Sequence, residues 1–116
     1  MTPTDAAAQT DPDRLTVRAI QRLIRDRYFE TDNARGTHAT FTLLTEEFGE
    51  LATALYNNNR QTHGGEPPSA AERANLVEEF ADVIAWLCTL ANINGVDLAE
   101  ALEKYTDPER VKGTKA

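Results

Sequence analysis

Phe41-Thr42-Leu43-Leu44-Thr45-Glu46-Glu47-Phe48-Gly49-Glu50-Leu51-Ala52-Thr53-Ala54-Leu55 is the stretch from which the fold can be read. Its apolar positions Phe41, Leu44, Phe48, Leu51 and Leu55 alternate spacings of three and four, the seam of a helix packed in a bundle. A strand would alternate every second residue, and no segment of this chain does so convincingly. The helix that carries the seam is expected from about His38 to Asn57.

Working outward, Leu15, Val17, Ile20, Leu23, Ile24 and Tyr28 repeat at helical spacing and predict a first helix from about Asp13 to Phe29. Arg14, Arg18, Arg22 and Arg25 form a basic stripe on its polar side. Glu30 to Thr37 reads as a loop, with Asp32, Asn33 and Gly36 as its turn residues. Downstream, Asn58 to Pro68 holds Gly64, Gly65, Pro67 and Pro68 and breaks regular structure. Ser69 and Glu72 have the spacing of a capping box, so a third helix should run from about Ala70 to Asn94, stopped at Gly95. Its seam is Leu76, Phe80, Val83, Leu87 and Leu90 to Ala91. Asp97 with Glu100 then caps a short fourth helix through about Tyr105. The fold expected is all-α, a four-helix bundle over residues 13–106 between a disordered tail at 1–12 and a flexible one at 107–116.

Composition narrows the function. The 116 residues make one domain. A net charge of −7 offers no counter-charge to a nucleic-acid polymer or an anionic membrane. No apolar run is long enough to span a bilayer, and Met1 to Pro12 has the pattern of neither a signal nor a transit peptide. A lone cysteine, Cys88, in an apolar stretch suits a reducing compartment, and a soluble cytoplasmic protein is expected.

Two acidic patterns carry the chemistry: Glu46-Glu47-Phe48-Gly49-Glu50 and Glu79-Phe80-Ala81-Asp82. At about 100° per residue, Glu47 and Glu50 lie at about −100° and −160° from Phe48, and Glu79 and Asp82 at the same offsets from Phe80. If the two helices pack seam to seam and antiparallel, as a loop of this length favours, equal offsets fall on one side of the pair. Four carboxylates then share one side of an interhelical groove, with Glu50 and Asp82 pointing away from the seam and needing a further wall. Such a cluster is self-repelling unless a cation neutralises it. All-oxygen ligands favour Mg²⁺ or Mn²⁺ over zinc. The plain alternative is two solvated helix faces rich in glutamate.

With these motifs the chain resembles the MazG-type, all-α nucleoside triphosphate pyrophosphohydrolases, whose signature is EExxE on one helix and ExxD on the next. The likeness extends to Phe29-Glu30-Thr31-Asp32, Arg35-Gly36, Leu51-Ala52-Thr53-Ala54-Leu55, Asp82-Val83-Ile84-Ala85-Trp86-Leu87, Leu90-Ala91-Asn92 and Val96-Asp97-Leu98. It implies Mg²⁺-dependent hydrolysis of a nucleoside triphosphate between the α and β phosphates. Glu47, Glu50, Glu79 and Asp82 would hold the metal, and Glu46 would orient or deprotonate the attacking water or stand as an exposed charge. Lys104 and Arg110 fall where such proteins place basic phosphate contacts; a tail charge, or for Lys104 an i,i+4 partner of Glu100, is the other possibility.

Trp86, about −120° from Phe80 and on the stripe of Glu79 and Asp82, either walls a base pocket or is buried in a subunit interface. Arg35 and His38 are candidates for base or phosphate edges, against ordinary duty at a loop and a helix start. Apolar residues off the seam, among them Leu43, Tyr56, Val77, Ile84 and Leu98, are poorly covered by one chain, and the family likeness implies a homodimer or tetramer. The competing functions are a phosphoribosyl-ATP pyrophosphohydrolase and a non-catalytic, metal-stabilised nucleotide-binding module. A di-iron bundle is disfavoured, since its Glu-x-x-His pairs are absent.

Overall fold

The computed structural model describes residues 11–110, and every regular element among them is helical. The tails expected at the two ends fall, for residues 1–10 and 111–116, outside the described residues. Helix α1 spans Val17–Arg35, α2 Thr37–Asn59, α3 Ala70–Ile93, and two single turns follow, α4 Leu98–Ala101 and α5 Glu103–Thr106. A 3₁₀ turn, Arg60–His63, closes the end of α2.

Residues 30–35, expected as loop, are the last turns of α1. The reason is tertiary. Asp32 accepts from Arg35 Nη1 (3.1 Å) within the helix and from Thr89 Oγ1 (3.1 Å) on α3, so its side chain is engaged by a neighbouring helix and not by a turn of its own backbone. One residue, Gly36, then separates α1 from α2. Its φ of 86° and ψ of 173° are essentially reserved for glycine, and they turn the chain without a loop.

α2 and α3 are antiparallel, as expected. Thr37 at the start of α2 accepts from Asn94 Nδ2 (3.2 Å) beyond the end of α3, while Asn58 Nδ2 near the end of α2 donates to the Glu72 carbonyl (3.1 Å) in the first turn of α3. The capping box at Ser69 and Glu72 is present, and Arg60 grips the same carboxylate at both oxygens (2.7 and 2.8 Å). That clamp holds Glu72 down to a pKa of about 2, chiefly through the Arg60 hydrogen bonds and then the Ser69 N–H. α1 is tied to the end of α3 by Gln21, which donates to Asn92 Oδ1 (3.0 Å) and the Val96 carbonyl (2.7 Å) and accepts from Leu98 N (2.9 Å). The fourth helix expected over Asp97 to Tyr105 is instead two turns broken at Leu102, where the Tyr105 N–H bonds three residues back.

The α2–α3 interface keeps Leu44, Leu51, Leu76 and Val83 of the expected seam but is turned by roughly 60° away from its phenylalanines. Thr40, Leu44, Ala54 and Asn58 are buried on α2, with Glu47 and Leu51 half-buried between them; Leu76 and Glu79 are buried on α3, flanked by half-buried Val83 and Trp86. Phe48 and Phe80, expected at the centre, are each 49% exposed. Two stripes with spacings of three and four run side by side along α2, and the one with Thr40 and Ala54 wins because its small side chains let the backbones approach more closely than phenyl rings would. The consequence is chemical: the rotation carries Glu47 and Glu79 into the interface.

A candidate metal centre between two helices

Carboxylate oxygens of Glu47, Glu50 and Glu79 lie within 4.8 Å of one another. Glu47 and Glu50 sit one turn apart on α2, and Glu79 meets them from α3. Glu79 is only 9% exposed, and its Oε2, like Oε2 of Glu47, is buried with no hydrogen-bond partner among the described residues. Buried polar atoms are nearly always satisfied, and an unpaired carboxylate oxygen is among the costliest exceptions. Two in one cluster of like charges make this a group that could hold a cation.

Protonation of the cluster points the same way. Burial raises the Glu47 pKa to about 7, helped by the adjoining Glu50 carboxyl and then by the charges of Asp82 and Glu79. Glu79 is also raised, first by burial and then by the charges of Glu50 and Asp82. Asp82 is exposed; it lies close enough for its charge to act on both, though outside the tight group of three. Of the four acids expected on one side of the groove, three come together, with Glu79 buried, Glu47 half-buried and Glu50 exposed, while Asp82 stands exposed near them. Glu46 is exposed and outside the group.

The other candidates divide. Trp86 and Arg35 come together, the guanidinium 5.1 Å from the ring centroid, in a cavity between α1 and α3. His38 lines a different, apolar cavity with Phe41, Leu87 and Leu90. Lys104 Nζ rests 4.9 Å from the Tyr105 ring centroid and has no ion pair with Glu100, while Arg110 pairs with Glu103 at 3.4 Å. Both belong to the segment after α3. Asp97, which opens it, pairs with Arg18 of α1 at 2.9 Å, and α3 runs on for about 16 Å of rise beyond Asp82 before that segment begins. Within one chain they are not gathered at the acids.

Asp32 and Thr89 are functional candidates that the sequence did not single out. Asp32 is 5% exposed and bridges α1 to α3. Its signal was an i,i+3 pairing with Arg35, legible only if residues 30–35 are helical.

The family model of the MazG nucleotide pyrophosphohydrolase domain matches residues 35–108. That span holds both acidic helices and the turns that follow them. No curated protein matches the chain.

Proposed function

The chain belongs to the MazG nucleotide pyrophosphohydrolase family, and on that footing we propose that it is a Mg²⁺-dependent nucleoside triphosphate pyrophosphohydrolase acting on the nucleotide pool. The observation that carries this reading is the pair of buried, unpartnered oxygens, Glu47 Oε2 and Glu79 Oε2, inside a cluster of carboxylates. An all-oxygen donor set of this charge fits a hard divalent cation. Glu47, Glu50, Glu79 and Asp82 would hold Mg²⁺, with Mn²⁺ as a substitute. When bound, the ion supplies positive charge for the phosphate oxygens and makes water more acidic.

The reaction adds water to the α phosphorus and breaks the bond to the α–β bridging oxygen, releasing monophosphate and pyrophosphate. Glu47 and Glu79, rooted on two rigid helices, fix where the α phosphate can sit. Glu46, exposed next to Glu47 in the sequence, would orient the incoming water and accept its proton.

The partner expected is a second copy of the chain. Phe41, Phe48 and Leu55 on α2 and Val77, Phe80, Ile84 and Leu87 on α3 are exposed. By helix geometry they lie on the side of the pair opposite Glu50 and Asp82, forming one apolar face. A homodimer is the smallest assembly that covers it, and a tetramer is the next.

The test is pyrophosphate release from a panel of nucleoside triphosphates with Mg²⁺ or EDTA, for the wild type and Glu50→Ala. Metal-dependent release lost in the variant supports the hydrolase. Nucleotide binding and Mg²⁺ stabilisation with no release from any substrate, phosphoribosyl-ATP included, would replace it with a binding module.

A further inference from the structure

One turn beyond the acids, α3 forms the wall of a second feature. Asp82, Trp86 and Thr89 share a stripe at i, i+4 and i+7, and Trp86 stands about 6 Å of helix rise past Asp82. There, between α1 and α3, is a cavity of about 240 Å³ lined by Ile24, Tyr28, Asp32, Arg35, Trp86 and Thr89 among others. It is smaller than a typical whole-ligand pocket, so it suits one ring system better than a complete nucleotide. Two aromatic side chains, an aliphatic one and a small polar cluster of Asp32, Arg35 and Thr89 are what a flat heterocycle needs for stacking and orientation. The offset from the acids is comparable to the ribose that separates a nucleobase from its α phosphate.

The polar edge is built, not incidental. Thr89 Oγ1 donates to one Asp32 oxygen (3.1 Å), the other Asp32 oxygen accepts from Arg35 Nη1 (3.1 Å), and the guanidinium lies over the Trp86 ring. Asp32 is buried, so the relay fixes Arg35 from behind. A guanidinium carries five N–H donors and no acceptor. One is spent on Asp32, and the rest have no partner among the described residues, which leaves a donor-only fork at the cavity edge.

We propose that this cavity is the nucleobase pocket and that Arg35, held by Asp32 and Thr89, selects bases presenting a keto oxygen at the edge it faces, namely hypoxanthine, guanine and uracil over adenine and cytosine. The proposal rests on the site being a nucleotide site. An acceptor edge such as O6 with N7 of a 6-oxopurine matches the guanidinium fork, whereas the exocyclic amine of adenine sets donor against donor. Tyr28 and Trp86 supply the stacking, which does not depend on the base. Asp32 and Thr89 are positioning residues, since they act through Arg35.

Trp86 is the sole tryptophan, so its fluorescence reports this cavity alone. The experiment titrates the full chain, in EDTA, with inosine, adenosine, uridine and cytidine, which carry no phosphate for the acids to repel. Inosine and uridine should perturb Trp86 saturably, with a Kd at least about tenfold below that of adenosine and cytidine. Arg35→Gln should erase the difference, and Tyr28→Ala should weaken all four nucleosides alike. Equal affinities in the wild type, or no change in Trp86 with any nucleoside, overturns the proposal without recourse to a variant. No hydrolysis is involved, so a protein that discriminates nucleosides but releases no pyrophosphate keeps this pocket and loses the hydrolase, while turnover with no keto preference does the reverse.

Discussion

Glu47 and Glu79 meet across the α2–α3 interface, each with its Oε2 buried and unpaired among the described residues. Two carboxylates in a helix seam destabilise a fold that would gain from almost any apolar pair there. Their presence makes the stability of this protein depend on protons and cations together.

Without metal, that dependence has a definite sign. Glu47 moves from 4.5 to about 7 on folding, so its proton is held by the folded state. The contribution is fully present below pH 4.5 and is lost as pH rises through 7. A divalent cation needs the deprotonated acid, so its benefit grows over the same interval. At about a hundred times its Kd, Mg²⁺ should add about 2.7 kcal/mol, a Tm increase of at least about ten degrees in a domain of this size. Scanning calorimetry with Mg²⁺ and with EDTA at pH 6 and pH 8 measures it; a smaller Mg²⁺ increment at pH 8 than at pH 6 contradicts the assignment.

Glu79→Gln separates stability from function. Removing one of the crowded charges should raise Tm in EDTA at pH 8, because the neutral amide ends the repulsion. The same change should remove most of the Mg²⁺ increment and cut turnover by roughly a hundredfold or more, beyond what the loss of an outer-shell partner costs. A variant less stable in EDTA than the wild type would show that the carboxylate has a structural partner.

Acid sensitivity should trace to Glu72. Arg60 and the Ser69 N–H hold its pKa at about 2, below the ordinary 4.5, so its stabilisation is complete above pH 4.5 and fades as pH falls toward 2. Glu72→Gln should lower Tm by a few degrees at pH 7 and flatten the acid limb of the Tm profile. An unchanged acid limb would place the acid-labile contact elsewhere.

The apolar face opposite the acids predicts assembly. Ile84, 52% exposed, stands in it one turn from Phe80. Wild type should sediment as a dimer or larger, and Ile84→Glu as a monomer with its helical circular dichroism retained. A wild-type monomer at tens of micromolar would leave that face without the partner assigned to it.

Two glycines should answer the same substitution with opposite signs. Gly36 sits at φ 86° and ψ 173°, and Gly36→Ala should cost about 1–3 kcal/mol in backbone strain at the α1–α2 junction. Gly49 lies inside α2 with no atom within 4 Å of an added Cβ, so Gly49→Ala should gain about 1 kcal/mol of helix propensity. Urea unfolding compares them, and a loss at Gly49 would mean that something outside the chain packs against it.

What the sequence determined by itself is whatever depends on local period and spacing. The helical class, the capping box at Ser69 and Glu72, the stop at Gly95, and the shared rotational side of Glu47, Glu50 and Glu79 all follow from residues within a turn or two of one another. Tertiary structure decided which of two adjacent stripes on α2 faces α3, because that choice depends on how closely two backbones can approach, and Thr40 and Ala54 are informative only once α3 is in place. It also decided that residues 30–35 are helix, since Asp32 prefers a turn until Thr89, 57 positions away, takes its carboxylate. Both decisions bear on function: the first places Glu47 and Glu79 in the interface, and the second aims Arg35 at Trp86.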